Sequence, residues 1–227
     1  MGIIGLEGNN IERRFDMGNL DYIYKRRSVR KFEREMPPKE DLMEILKAAT
    51  YAPSGKNLQN WHFVVVKNKE KLNEIAEAIS YKNRKLRAQI KDLGEREKFE
   101  GSLSYSTFFK NAPVCIFVFA SEYPITALNF MKEVGAKEEE IKDLINSAPG
   151  IQGVSAAIEN LQLAAASLGY GTCWMTGPNY AAKEIVEALE FDKEGFKLVA
   201  LMPLGIPADI ERVRNRKSVL EVTSFIE

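Results

Sequence analysis

The run P-V-C-I-F-V-F-A at residues 113–120 leaves a chain little choice. It carries no charge and is rich in β-formers, so it reads as a fully buried strand. Such a strand needs apolar cover, and the chain can supply it: 45% of its 227 residues are hydrophobic, enough for one large domain or two small ones.

The cover is legible as periodicity. Leu42, Ile45, Leu46 and Ala49 recur at helical spacing behind Pro37-Pro38, with Glu40 and Asp41 at the positive end of the dipole. Leu72, Ile75, Ala76 and Ile79 mark a second amphipathic helix, and a shorter one is predicted near 20–30. The segment 155–169, S-A-A-I-E-N-L-Q-L-A-A-A-S-L-G, can pack on nearly every side and stops at Gly169. Strands are predicted at 62–67, 171–175 and 196–203, and a helix at 181–189. Residues 82–100 carry dense mixed charge, as a solvated helix does. The stretch 121–150, with broken periodicity, reads as an excursion or lid over a site. Residues 1–19 read as an arm preceding one domain, 20–227. Strand–helix alternation by itself suggests a parallel α/β sheet. Yet G-x-G-x-x-G follows no strand, and G-x-x-x-x-G-K-[ST] is absent, so the phosphate loops of such folds are unsupported.

Several function classes drop out early. Lys+Arg and Asp+Glu are both 32, which argues against a general nucleic-acid or membrane-surface binder. Cys115 and Cys173 sit far apart in apolar segments and read as buried thiols, and the lone histidine, His62, rules out a His-rich metal site. The first ten residues lack the basic start and apolar run of a signal peptide, and no stretch approaches the ~20 apolar residues of a membrane helix. The expectation is a cytoplasmic protein.

Three stretches could carry chemistry. Y-K-R-R-S-V-R-K-F (24–32) crowds Lys25, Arg26, Arg27, Arg30 and Lys31 around Ser28. Guanidinium forks match the oxygens of a phosphate, and a hydroxyl adds a donor; a solvated basic patch is the plain alternative. R-V-R-N-R-K (212–217) offers a second cluster, in which an extended chain points Arg212, Arg214 and Arg216 one way. Between an apolar helix and a Val run lies P-S-G-K-N-L-Q-N (53–60). Its Ser54, Asn57 and Gln59 present donors and acceptors to a flat heteroaromatic, or else cap their own turn.

R-R-S-V-R-K-F, then A-P-S-G-K-N-L-Q-N-W-H-F-V-V-V, then N-L-Q-L-A-A-A-S-L-G-Y-G-T-C-W-M-T-G, then a basic tail, occur in one order over roughly residues 20–220. The chain thereby resembles the nitroreductase family of FMN-dependent oxidoreductases. The resemblance implies an α+β fold with a mainly antiparallel sheet wrapped by helices, in an intertwined homodimer whose C-terminal segment crosses to the partner. Arg26, Arg27 and Ser28 would hold the FMN phosphate and ribityl chain, with Arg30 at the N1–C2 edge. Pro53, Ser54, Gly55 and Asn57 would touch the flavin of the other subunit. Arg214 and Arg216 would close on the phosphate. Met175, Thr176 and Gly177 would lie along the flavin edge, backbone N–H groups of Thr176 and Gly177 near N5 and O4. The pyrimidine contact would come from 83–87, as Asn83, Lys85 or Arg87. Asn60 stands where the family commonly has proline, and T-G-P at 176–178 departs from its acidic or Gly-Gly edge.

The implied activity is ping-pong transfer from NADH or NADPH, through flavin N5, to an electron-poor acceptor such as a nitroaromatic or quinone. The flavin carries the chemistry, so no triad and no metal is needed. Tyr123, Phe130 and Met131 are candidate substrate walls. The alternatives are reductive dehalogenation, enoate reduction or flavin breakdown on the same scaffold, and a non-enzymatic anion or nucleic-acid binder.

Overall fold

The computed structural model describes residues 20–208 and 215–227. Four strands, β1 (Trp61–Val66), β2 (Val114–Ser121), β3 (Gly171–Thr172) and β4 (Phe196–Gly205), form a sheet in the order β1-β2-β4-β3. All three neighbouring pairs are antiparallel, so the parallel sheet suggested by strand–helix alternation does not form and the architecture is α+β. Around it lie α1 (Asp21–Lys25), α2 (Lys39–Thr50), α3 (Lys69–Arg87), α4 (Leu93–Gly101), α5 (Leu103–Thr107), α6 (Thr126–Glu133), α7 (Glu138–Asn146), α8 (Pro149–Ser167) and α9 (Ala182–Leu189).

The period of two in β2 decides the layering. Val114, Ile116, Val118 and Ala120 point to one face, where they meet Leu42, Ile45 and Ala49 of α2 and Val154, Ile158 and Leu161 of α8. Cys115, Phe117 and Phe119 point to the other, against Leu72, Ile75 and Ile79 of α3 and Ile185 of α9. A strand covered on both faces can afford no polar residue, which is why its sequence is one unbroken apolar run. Each large side chain so buried is worth roughly 1.5–3 kcal/mol. Both cysteines are buried.

Two local devices matter later. Between β2 and β4 the register slips: Val118 faces Ala200 but Phe119 faces Leu198, so Val199 is an extra residue in a β-bulge. At the end of α8, Gly169 has φ +84°. Its N–H donates to the Ala166 carbonyl at 3.1 Å and that of Tyr170 to Ala165 at 2.8 Å, the double closure of a Schellman motif. The chain thus leaves α8 in a tight reversal and enters β3 at once.

Other boundaries differ from expectation for visible reasons. The charged segment 82–100 is two helices, because Asp92 caps α4 by accepting the Glu95 N–H at 2.8 Å. The strand foreseen at 171–175 pairs regularly only over Gly171–Thr172, and Met175 makes an isolated bridge to Leu201. The excursion folds as α6 and α7. The described tail, 215–227, is exposed along its whole length, Val219, Leu220, Val222, Phe225 and Ile226 included.

Candidate active site

The Schellman turn and the segment after α1 together make a cationic hollow of about 250 Å³. Arg26, Arg27, Gln162, Gly169, Gly171 and Thr172 are among its lining. Val29 N–H donates to the Thr172 carbonyl at 2.9 Å, and Ser28 forms a parallel bridge with Thr172, so the arginine segment is stitched to β3. The approach is close: a Cβ on Gly171 would come within 2.5 Å of Val29 Cγ2. Beneath the hollow the buried Gln162 amide donates to Thr172 Oγ1 at 3.1 Å. Arg26 is steadied by Glu159 at 3.4 Å. Beside them Tyr170 donates to Asp41 at 2.5 Å, and this bond, with burial, pushes its phenol up to about 12.

The same two chain segments, a few residues on, line a second hollow of about 440 Å³. Arg30 comes from the first, and Cys173, Trp174, Met175, Thr176, Gly177 and Pro178 from the second. The stretch 175–179 is fastened to β4 at both ends. Met175 and Leu201 exchange backbone hydrogen bonds of 3.0 and 2.9 Å, and Asn179 Nδ2 donates to the bulge carbonyl of Val199 at 2.7 Å. Thr176 and Gly177 are held between the two fasteners. A Cβ on Gly177 would meet nothing within 4 Å, so this edge stands open.

Opposite it lie Ser102, Tyr105 and Ser106, none of them singled out from the sequence. The hydroxyl-rich run S-L-S-Y-S-T (102–107) was the available signal. Asn83, Lys85 and Arg87, expected to supply a pyrimidine contact, are not among the lining residues. Asn83 is buried, its amide near the Phe99 carbonyl and the Tyr180 hydroxyl, both at 3.4 Å. Lys85 lies 4.5 Å over the Tyr81 ring, and Arg87 pairs with Glu100.

Pro53, Ser54, Gly55 and Asn57 are not gathered with the arginines in one chain. Their loop lies at the start of α8, where a Cβ on Gly153 would be 3.5 Å from the Pro53 carbonyl. The cationic hollow touches Ala166, near the end of that helix. The span from Gly153 to Ala166 is roughly 20 Å. Within the loop, Ser54 Oγ accepts the Gln59 N–H at 2.8 Å and Asn57 Oδ1 accepts from Gln59 Nε2 at 3.1 Å. Asn60, in place of a proline, is buried and donates to the Ser121 carbonyl at 3.1 Å, tying the loop to the end of β2. Arg212 and Arg214 lie outside the described residues, and Arg216 is exposed.

A third and larger cavity, about 800 Å³, opens between the 121–150 excursion and the ends of β2 and β4. Tyr123, Ile125, Ile145, Pro149, Lys197 and Val199 help to line it. Phe130 is exposed, and neither it nor Met131 is among the lining residues. Among the described residues there is no His/Cys/Asp/Glu group suited to a metal, and no helix long and apolar enough to cross a membrane.

Comparison with known proteins identifies the family. Residues 23–206 match the sequence pattern of the Nitroreductase family. A putative NADH dehydrogenase/NAD(P)H nitroreductase of Methanothermobacter thermautotrophicus is 31% identical over 88% of this chain and 82% of its own. An iodotyrosine deiodinase of Thermotoga neapolitana is 28% identical over 88% and 94%. Among solved structures, a BluB-like flavoprotein from Clostridium difficile is 38% identical with a TM-score of 0.87, over 92% of this chain and 99% of that one. A nitroreductase with bound FMN from Desulfitobacterium hafniense has a TM-score of 0.66 at 26% identity, over 92% and 97%.

Proposed function

The chain belongs to the nitroreductase family and is an FMN-dependent oxidoreductase, and from that premise we propose that it takes electrons from NADH or NADPH and gives them to an electron-poor organic acceptor. One observation carries the reading. Residues of the same two segments, 25–30 and 166–178, line both a cationic hollow and a mostly apolar one. A phosphate suits the first and an aromatic ring system the second.

The residues present fit FMN. Arg26 and Arg27 bind its phosphate, with Glu159 fixing the Arg26 guanidinium. The missing side chains at Gly169 and Gly171 leave room beside them. Arg30 offsets negative charge at the N1–C2 edge, and the fastened backbone of Thr176 and Gly177 offers N–H groups at the opposite edge. Ser102, Tyr105 and Ser106 are hydroxyl partners for the pyrimidine side. When bound, FMN supplies two-electron transfer between a reduced nicotinamide and the acceptor, each visiting the same ring face in turn.

Pro53, Ser54, Gly55 and Asn57 serve the flavin of a second copy. What supports this is their separation, roughly 20 Å along α8, from the hollow in their own chain. The exposed apolar tail supports the same assembly: Ile226 is 99% and Leu220 79% exposed, a surface that a partner would cover. Among the described residues β1, at the sheet's edge, has only β2 beside it, leaving room for one more strand. Arg216, at the start of that tail, serves the phosphate.

A second reading of the reaction is reductive dehalogenation, which the similarity to an iodotyrosine deiodinase favours. One experiment separates the two. Purified protein absorbing as oxidised flavin is titrated with NADPH or NADH without air, then offered a nitroaromatic, a quinone or a halogenated phenol. Bleaching followed by reoxidation with nitro compound or quinone supports the main reading. Halide release with little nitro reduction replaces it with the second. A protein that is colourless and takes up no FMN refutes both.

A further inference from the structure

The 53–59 loop has a property that touching a flavin does not require. Lys56, Asn57 and Gln59 all have left-handed backbones, with φ of +58°, +49° and +48°. L-residues seldom adopt this conformation, and three so close together persist only where their surroundings hold them. The bonds of Ser54, Asn57 and Gln59 stay inside the loop. Those of Lys56 leave it. Its ammonium donates to the Pro124 carbonyl at 2.7 Å and to Thr126 Oγ1 at 2.6 Å, and it stands 5.6 Å from the centre of the Tyr123 ring. Tyr123 in turn is wedged between two glycines. A Cβ on Gly55 would fall 2.3 Å from its hydroxyl oxygen, and one on Gly150 would fall 2.4 Å from its Cβ.

Tyr123 is also a wall of the 800 Å³ cavity. Tyr123 thus both lines the cavity and packs against the loop at Gly55. Pro124 and Thr126 are the root of the excursion, Thr126 being the first residue of α6.

We propose that Lys56 is a positioning and specificity-determining residue, tying the flavin loop to the root of the 121–150 excursion so that the flavin wall and the cavity wall keep one geometry. This rests on the reading, given above, of Pro53, Ser54, Gly55 and Asn57 as a flavin wall. A lysine is required for reach: it spans from the loop to a carbonyl and a hydroxyl that a shorter side chain cannot touch. An incidental surface contact would leave the two segments independent, and that difference is measurable.

Lys56→Asn isolates the tie, because asparagine tolerates a left-handed backbone but lacks the reach. Thr126→Val removes one acceptor from the far side without touching the loop. In hydrogen exchange on the FMN-free and FMN-loaded protein, Lys56→Asn should speed amide exchange about tenfold in both 54–59 and 122–133, the scale of losing charge-assisted hydrogen bonds at an exposed position. In steady-state kinetics it should keep its FMN and raise the acceptor KM about tenfold with the KM for NAD(P)H unmoved. Thr126→Val should move the same quantities about threefold, and should add nothing in the Lys56→Asn background. Faster exchange confined to the loop, or a full Thr126→Val effect in the double variant, overturns the proposal. If the protein holds no flavin, the kinetic arm falls with the functional reading, while exchange in the FMN-free protein still decides whether the tie exists.

Discussion

The cationic hollow and the 53–59 loop are two walls assigned to one cofactor, and they are built in opposite ways. The hollow rests on regular structure. A Schellman turn ends α8, β3 begins immediately, and the arginine segment is stitched to β3 by backbone pairing. The loop has no ladder to lean on and carries three left-handed residues held by side chains. A wall built on backbone pairing is rigid by construction, whereas the loop depends on side-chain contacts to keep its shape. In the hollow, then, substitutions should act through backbone placement and charge, and in the loop through strain.

The largest effect tests the stitching. Gly171→Ala puts a methyl 2.5 Å from Val29 Cγ2, and overpacking at so close an approach should cost about 2–3 kcal/mol, read by denaturant unfolding, with FMN affinity falling alongside. Next comes charge. Arg26→Ala should weaken FMN binding by about 2 kcal/mol, roughly thirtyfold, in a flavin fluorescence titration. An unchanged affinity would move the phosphate site elsewhere.

Tyr170→Phe should cost about 1 kcal/mol at neutral pH by deleting the bond to Asp41. The folded phenol keeps its proton to about 12, above its ordinary value of 10.0. Its contribution is therefore whole below pH 10 and is lost as the pH rises through about 12. Wild type and variant should converge across that window in unfolding experiments. The smallest effect has the opposite sign. Gln59→Gly, at φ +48°, should stabilise the fold by about 0.5 kcal/mol, because relief of a left-handed side chain outweighs an exposed hydrogen bond. Destabilisation there would mean the loop is not strained, and the contrast between the two walls would fail.

How much of this was legible in the sequence follows from what periodicity encodes. Burial shows in it, so β2, α2 and the apolar face of α3 could be read directly. Strand direction does not, since alternation of strands and helices is the same whichever way a crossover returns; the antiparallel sheet came from the resemblance alone. Asn83 shows another limit. A polar residue in a charged helix looks like a surface group, and only the packing of Phe99 and Tyr180 against it shows that it is buried. Ser102 and Ser106 were hidden for the opposite reason, because short hydroxyl residues near a helix end are ordinary caps until a cavity is seen beside them. Asn60, first noticed as a missing proline, proves to be an anchor on β2.

The bulge in β4 has a consequence of another kind. Val199 is the supernumerary residue, and its carbonyl, free of the β2 ladder, receives the Asn179 amide at 2.7 Å. Met175 is clipped to Leu201, two residues further along the same strand. Strand β4 thus serves as a ruler whose two marks set the span of the 175–179 bridge, and one residue added between them or removed would reset the reach of Thr176 and Gly177. Length variation in a strand remote from the ring would then be a route by which relatives retune one shared chemistry while every residue that touches the cofactor stays the same.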